Sequence, residues 1–210
     1  METILTNKET VSRIIKLNQG LEGFWSSPVG WAPIESAKLL SKSRLDWQSS
    51  LSRTLLFFLD TEMQKEEGAL IMAWAVLGSL VEGTLKLFLS IFYTEYNAEE
   101  LQVDSKVIKT CSGKLITPDE LALEKLKQFF ALRIYPDWVR KHWKDVGEED
   151  WIKWIDHIQV RRNAIHAFKE RPIGTFIEFF FDVRKYLNFL RRISNTFPYP
   201  DDEMYKPREI

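Results

Sequence analysis

A short run of arginine, asparagine and histidine occupies the last third of the sequence, where residues 160–166 read VRRNAIH. Histidine changes its charge near neutral pH and can take up or release a proton during a reaction. Arginine stays positively charged and can donate two parallel hydrogen bonds to a phosphate. These residue types suit phosphodiester cleavage, with His166 moving the proton and Arg161 or Arg162 neutralising the phosphate charge.

Other sequence patterns that carry chemistry are absent. The chain contains no HExxH, CxxC, GxGxxG, GxxxxGK[ST] or GxSxG, so zinc, dinucleotide, P-loop and serine-hydrolase sites have no support. The three histidines, His142, His157 and His166, lack the short spacing of metal ligands. Cys111 has no histidine near it in the sequence, which disfavours thiol catalysis. We therefore expect no metal and no other cofactor.

The helical phase of the two arginines leaves two interpretations open. With Trp151 at 0° and about 100° per residue, Arg162 falls at about 20°, inside the apolar stripe, and Arg161 at about 280°, at its edge. A buried guanidinium is costly unless it is paired. Arg162 therefore either pairs with an acid such as Glu82 while His166 is a core residue, or it faces a cleft or subunit interface that binds a polyanion.

Arg161, four intervening residues and His166, with Asn163 between them, resemble the Arg–four-to-six–His signature of HEPN domains. The resemblance covers residues 33–196 and implies an antiparallel all-α bundle. Many HEPN domains are ribonucleases of toxin–antitoxin, CRISPR or phage-defence systems. Family members usually place Asn or another polar residue directly after the arginine, whereas here Asn163 follows Arg162. Family spacing thus favours Arg161 as the functional arginine, and helix geometry favours Arg162.

The resemblance implies a metal-free catalytic site that two protomers build together from Arg161, Arg162, Asn163 and His166. Such an endoribonuclease leaves a 2′,3′-cyclic phosphate and a 5′-OH, and DNA is inert because it lacks the 2′-OH nucleophile. The implied partners are RNA, a second copy of the chain and an antitoxin or other protein. The main alternative is a non-catalytic HEPN-type module for dimerisation or for sensing a nucleotide or other ligand. A third interpretation is a helical protein whose buried arginine is structural.

Charged residues outside the motif supply further candidates. Glu82 precedes Lys86 by four residues, the favourable order for a helical ion pair, and its alternative role is to orient a functional arginine. Basic side chains near the motif could track an RNA backbone, or could form an ordinary solvated helix face. These candidates are Lys169, Arg171, Arg184, Lys185, Arg191 and Arg192.

Composition predicts an all-α chain. Among 210 residues there are only 9 Gly and 8 Pro, too few for the turns of a many-stranded β fold. The 29 basic and 30 acidic residues give a net charge of −1, so any polyanion must bind a local cluster. A single cysteine and the absence of an apolar leader in residues 1–11 indicate the cytoplasm. The uncharged run from Ala69 to Val81 is shorter than the roughly 18 residues of a membrane span.

Apolar periodicity predicts five or so main helices that pack as a HEPN-like bundle. Residues 1–32 form a helix and a loop packed on the bundle, residues 33–196 the bundle itself with 97–147 as an elaborated connection, and residues 197–210 a tail. The predicted helices cover residues 7–19 (ended by Gly20), 33–63, 67–96, 117–135 (started by Thr117 and Pro118), 148–168 and 175–195.

Overall fold

The computed structural model describes residues 5–28, 30–98, 108–132 and 150–209 of the chain. Regular structure in these ranges is helical, apart from one isolated antiparallel bridge between Lys109 and Leu115. The prediction of an all-α chain is confirmed for these ranges. The α-helices are α1 (Asn7–Trp25), α2 (Ile34–Lys42), α3 (Leu45–Thr54), α4 (Glu67–Ile91), α5 (Tyr93–Tyr96), α6 (Leu123–Phe129), α7 (Trp151–Arg162), α8 (Phe176–Thr196) and α9 (Asp202–Tyr205).

Helix α4 is the centre of the bundle. Its sequence is apolar on almost every side, and 16 of its 25 residues are buried. Helices α2, α3, α6, α7 and α8 all pack against it. Among the described helices, α4 alone is long and apolar enough to cross a membrane, a test that core helices also pass. The central helix predicted over residues 67–96 is therefore present, with a break at Phe92 before α5.

Helices α7 and α8 carry the candidate residues. Asp150 caps α7 by accepting a hydrogen bond from the backbone N–H of Lys153, and Thr175 caps α8 in a reciprocal pair with Glu178. Helix α8 matches its prediction. Helix α7 ends at Arg162, earlier than predicted, and continues only as a 3₁₀ turn over Asn163–His166. The acidic residues 148 and 149 that were expected to start it lie outside the described residues.

Helix α1 does not stop at Gly20. It runs on to Trp25 because Leu21 and Trp25 extend its buried stripe into the core. The space that a side chain at Gly20 would fill is taken by Pro207, whose Cβ lies 2.7 Å from the ideal Cβ position. Helix α1 packs against α3 and α8. The glycine therefore marks a close approach of the tail and not a helix end.

Two other helix boundaries differ from the prediction. The helix expected over residues 33–63 is divided into α2, α3 and two 3₁₀ turns, Phe57–Leu59 and Met63–Lys65. The break follows Ser43, whose hydroxyl donates a hydrogen bond to the carbonyl of Leu40 while its backbone is extended. Thr117 caps nothing with its side chain; Pro118–Glu120 is a 3₁₀ turn, and α6 begins at Leu123. The predicted end at residues 135–136 lies outside the described residues.

The tail returns across α1 and α8 as a strap. The Glu209 carboxylate accepts hydrogen bonds from Nε and Nη2 of Arg191 and from Nη1 of Arg13. Burial alone raises the pKa of the Glu209 carboxyl, but the hydrogen bonds from Arg191 and the charges of Arg191 and Arg13 outweigh burial, so the pKa lies below its usual value.

We expect Glu209→Gln to lower the free energy of unfolding by about 1–2 kcal/mol at neutral pH, because its carboxylate is only 18% exposed. A depressed pKa gives stability that is complete above about pH 5 and is lost as the pH falls through the folded-state value. The difference in melting temperature between wild type and variant should therefore shrink in acid. Equal differences at neutral and acid pH would contradict the ion pairs, and Glu62→Gln, in an exposed pair with Lys65, is the control.

Candidate functional site

Arg161 lies on the last turn of α7 and is largely withdrawn from solvent, with 11% of its side chain exposed. Its Nη1 donates hydrogen bonds to the backbone carbonyl of Ile173 at 2.9 Å and to Oε2 of Glu178 at 3.1 Å. The guanidinium also lies 4.8 Å from the ring centroid of Trp74. The Trp74 indole N–H donates to the same Ile173 carbonyl at 2.8 Å.

These contacts brace the connection between α7 and α8. Gly174 sits in it with φ +66°, and a side chain there would collide with Arg161 and Glu178. The hydrogen bond and charge of Arg161, together with the backbone N–H of Thr175, lower the pKa of Glu178, so this carboxylate is ionised at neutral pH. Arg161 therefore holds the loop that follows His166 against the bundle.

Arg162 pairs with the central helix, as one of the two interpretations expected. Its Nη2 lies 3.0 Å from Oε2 of Glu82, and Oε1 of Glu82 lies 2.9 Å from Nζ of Lys86. An ideal Cβ at Gly78 would lie 2.6 Å from Cδ of Arg162, so the absent side chain lets the arginine stem lie on α4. Glu82 thus makes the predicted helical ion pair and orients an arginine as well. Arg162 is 30% exposed, so the helical angle ranked the burial of the two arginines in the wrong order.

His166 closes the 3₁₀ turn at the surface. Its side chain is exposed and, within the described ranges, has no hydrogen bond or ion pair. It is therefore not a core residue. Ala167 follows in the left-handed region with φ 51°, a conformation that costs a residue with a Cβ about 1 kcal/mol or more. Asn163 is half-buried, and Phe168 is fully exposed.

The predicted RNA-binding residues are divided between two sides of the fold. Lys169 and Arg171 lie in the connection after the motif, and Lys185 lines a groove between α7 and α8. Arg184 instead donates to Oδ1 of Asn7, and Arg191 binds Glu209. Two of the predicted basic residues therefore hold the N- and C-terminal segments.

A second histidine, which the sequence argument did not select, lies in that groove. His157 is one helical turn before Arg161, and its Nε2 donates to Oδ2 of Asp182 at 3.0 Å. Oδ1 of the buried Asp182 accepts from the indole Nε1–H of Trp154, also at 3.0 Å. The groove measures about 640 Å³ and is lined by both His157 and Arg161. The signal in the sequence was the aspartate within the apolar stripe of α8.

Comparison with known proteins adds no assignment. No protein-family model matches the chain, and no curated protein or solved structure matches it either. In the part of the chain that the structure describes, no group of three or more His, Cys, Asp or Glu side chains could hold a metal ion.

Proposed function

We propose that the chain is a metal-independent endoribonuclease of HEPN type, acting in the cytoplasm in a toxin–antitoxin or phage-defence setting. One observation carries the proposal: His166 is exposed, has no side-chain partner within the described ranges, and lies five residues after Arg161, a residue that lines the groove between α7 and α8. The left-handed Ala167 beside His166 adds support, because strained backbone often accompanies functional sites. Helices α2, α3, α4, α7 and α8 would form the HEPN-like bundle.

The reaction needs only groups of this chain and of RNA. The imidazole of His166 takes the proton of a 2′-OH, whose oxygen attacks the adjacent phosphorus while the bond to the 5′-oxygen breaks. The leaving oxygen receives a proton from a protonated imidazole, which the second protomer of a composite site supplies. An arginine guanidinium neutralises the charge that develops on the phosphoryl oxygens.

A composite site requires a homodimer, and the exposed apolar residues around His166 support one. Ile165 and the fully exposed Phe168 flank the histidine in sequence, and apolar side chains exposed together mark interaction sites. We expect light scattering at tens of micromolar protein to give the mass of a dimer, and Phe168→Ser to shift it towards the monomer. A monomeric wild type at that concentration would contradict the composite site.

Cleavage assays test the activity itself. Single-stranded RNA incubated with the protein in EDTA should be cut, and DNA of the same sequence should stay intact because it has no 2′-OH. Cleavage that requires an added divalent metal, or equal cleavage of DNA, would contradict the proposal.

A second candidate function is a non-catalytic HEPN-type module for dimerisation or ligand sensing. It is favoured by the internal pairing of both arginines, since Arg161 binds Glu178 and Arg162 binds Glu82. An arginine that neutralises a scissile phosphate has to release or share its carboxylate. A dimer that binds RNA or a nucleotide but leaves RNA intact would favour this second function.

A further inference from the structure

The groove between α7 and α8 contains chemical groups beyond the Arg–His motif. Helix α7 contributes Lys153 and His157 to its wall, and α8 contributes Phe181 and Lys185. Its volume of about 640 Å³ falls within the roughly 300–1,000 Å³ of small-molecule sites. Three of its ten lining residues are apolar, and the other seven are three cations, three carboxylates and one imidazole.

Phe181 gives the groove an aromatic platform. Phe181 is 57% exposed, although α8, the helix on which it lies, buries a long apolar stripe. Nζ of Lys185 lies 5.1 Å from the centroid of the Phe181 ring. Because this ammonium lies over one face of the ring, a nucleobase would stack on the opposite face while the ammonium neutralises a neighbouring phosphate.

His157 is held in one orientation at the same groove. Because Asp182 accepts from Nε2, the other ring nitrogen, Nδ1, is left for a ligand. The carboxylate of Asp182 is itself buried and accepts a hydrogen bond from Trp154, so the partner of the histidine is fixed in place. The imidazole is thus a fixed polar group in the wall of the groove.

The three cations and three carboxylates of the groove cancel, so an anion has to be bound by individual ammonium groups. Asp150, Glu178 and Asp182 already have partners in Lys153, Arg161 and His157. Lys185 has no ion pair within the described ranges, and the Lys153 side chain is 86% exposed, where its pair with Asp150 is weak. Lys185 therefore remains for a phosphate, and Lys153 can exchange its weak pair with Asp150 for one.

We propose that this groove binds one unpaired nucleotide unit, with its base against Phe181 and its phosphate at Lys185 and Lys153. The unit comes from a single strand of RNA, and this choice of source rests on the proposed function. A free mononucleotide offers the same base and phosphate, so the test separates the two sources.

Binding is measured by fluorescence anisotropy with a labelled 2′-deoxy oligonucleotide, which the proposed enzyme cannot cut. Phe181→Ala and Lys185→Ala should each weaken binding about tenfold, the scale of one lost base stack or phosphate contact. Phe57→Ala, at another exposed phenylalanine, and Lys16→Ala, at an exposed lysine of α1, should leave binding unchanged. Thermal melts confirm that all four variants are folded.

Unlabelled AMP is then added as a competitor. Displacement only by millimolar AMP supports a strand as the ligand, whereas displacement by micromolar AMP supports the site but overturns its assignment to RNA. Unchanged binding in Phe181→Ala and Lys185→Ala overturns the site, as does a loss of the dimer in Phe181→Ala, which would make the groove a protein interface. If the protein does not cleave RNA but its binding of the oligonucleotide still depends on Phe181, the nuclease proposal is refuted and the proposal of a nucleotide site is supported.

Discussion

His166→Ala is expected to lower the rate of RNA cleavage by about 100- to 10,000-fold, the usual cost of losing a general acid or base. The melting temperature should stay within a degree or so of wild type, because the side chain is exposed and has no partner in the described part of the chain. Cleavage of a labelled RNA in EDTA and a thermal melt measure the two quantities on the same preparation.

Glu170→Ala is the matched control, since it is another exposed residue of the same connection. This variant should change neither the rate of RNA cleavage nor the melting temperature. A His166→Ala protein that cuts RNA at the wild-type rate would show that the imidazole is not catalytic. An unfolded variant would contradict the exposed position of the side chain.

Arg161→Lys is expected to reduce both stability and activity. Lysine keeps the charge but loses the planar fork, so it cannot reach the Ile173 carbonyl and the Glu178 carboxylate as Arg161 does. Because the site is largely buried, we expect a loss of about 2 kcal/mol in the free energy of unfolding. Cleavage, assayed well below the melting temperature, should fall about 100-fold if this guanidinium stabilises the transition state.

Arg162→Lys provides the comparison. The Arg162 side chain is 30% exposed, so the loss of stability should be below about 1 kcal/mol. The helical angle alone places Arg162 deeper than Arg161, and so it predicted a larger loss of stability for Arg162→Lys than for Arg161→Lys. Glu178→Gln separates the two roles of Arg161, holding the loop and binding a phosphate, because the variant breaks the ion pair with Arg161 and keeps the guanidinium. A larger effect of Arg162→Lys in both assays would reassign the family role, and no effect on cleavage from either lysine variant would remove the nuclease.

The sequence predicted the helices whose ends carry strong local signals. Helix α8 begins at the Thr175 capping box, and α4 is a long apolar run, so local chemistry is enough for both. The predicted first helix ended too early, at Gly20, because a glycine commonly follows the end of a helix. Only the tail, whose Pro207 occupies the space beside that glycine, shows why a glycine is placed inside the helix.

The sequence predicted the residue types of the candidate site and the pairs that Glu82 makes with Arg162 and Lys86, but not the partners of Arg161. The motif located Arg161 and His166, and the helical charge order located Glu82. The partners of Arg161 come from the connection and from the start of α8, which no spacing within α7 reveals. A straight-helix projection also fails at this position, because α7 ends at Arg162 and His166 belongs to a 3₁₀ turn.

The pair of His157 and Asp182 was missed for a related reason. Each residue reads as a polar interruption of its own helix, and only the packing of α7 beside α8 brings them to 3.0 Å. A buried aspartate in an amphipathic helix predicts some partner, since an isolated buried carboxylate is costly. The identity of that partner depends on how the helices are arranged.

The chemical nature of the cleaved RNA ends tests the central claim most directly. RNA is incubated with the wild-type protein in EDTA, and the termini of the fragments are identified by mass spectrometry. The proposed mechanism predicts a 2′,3′-cyclic phosphate on one fragment and a 5′-OH on the other. Fragments with 3′-OH and 5′-phosphate ends, or RNA that remains intact, would contradict it.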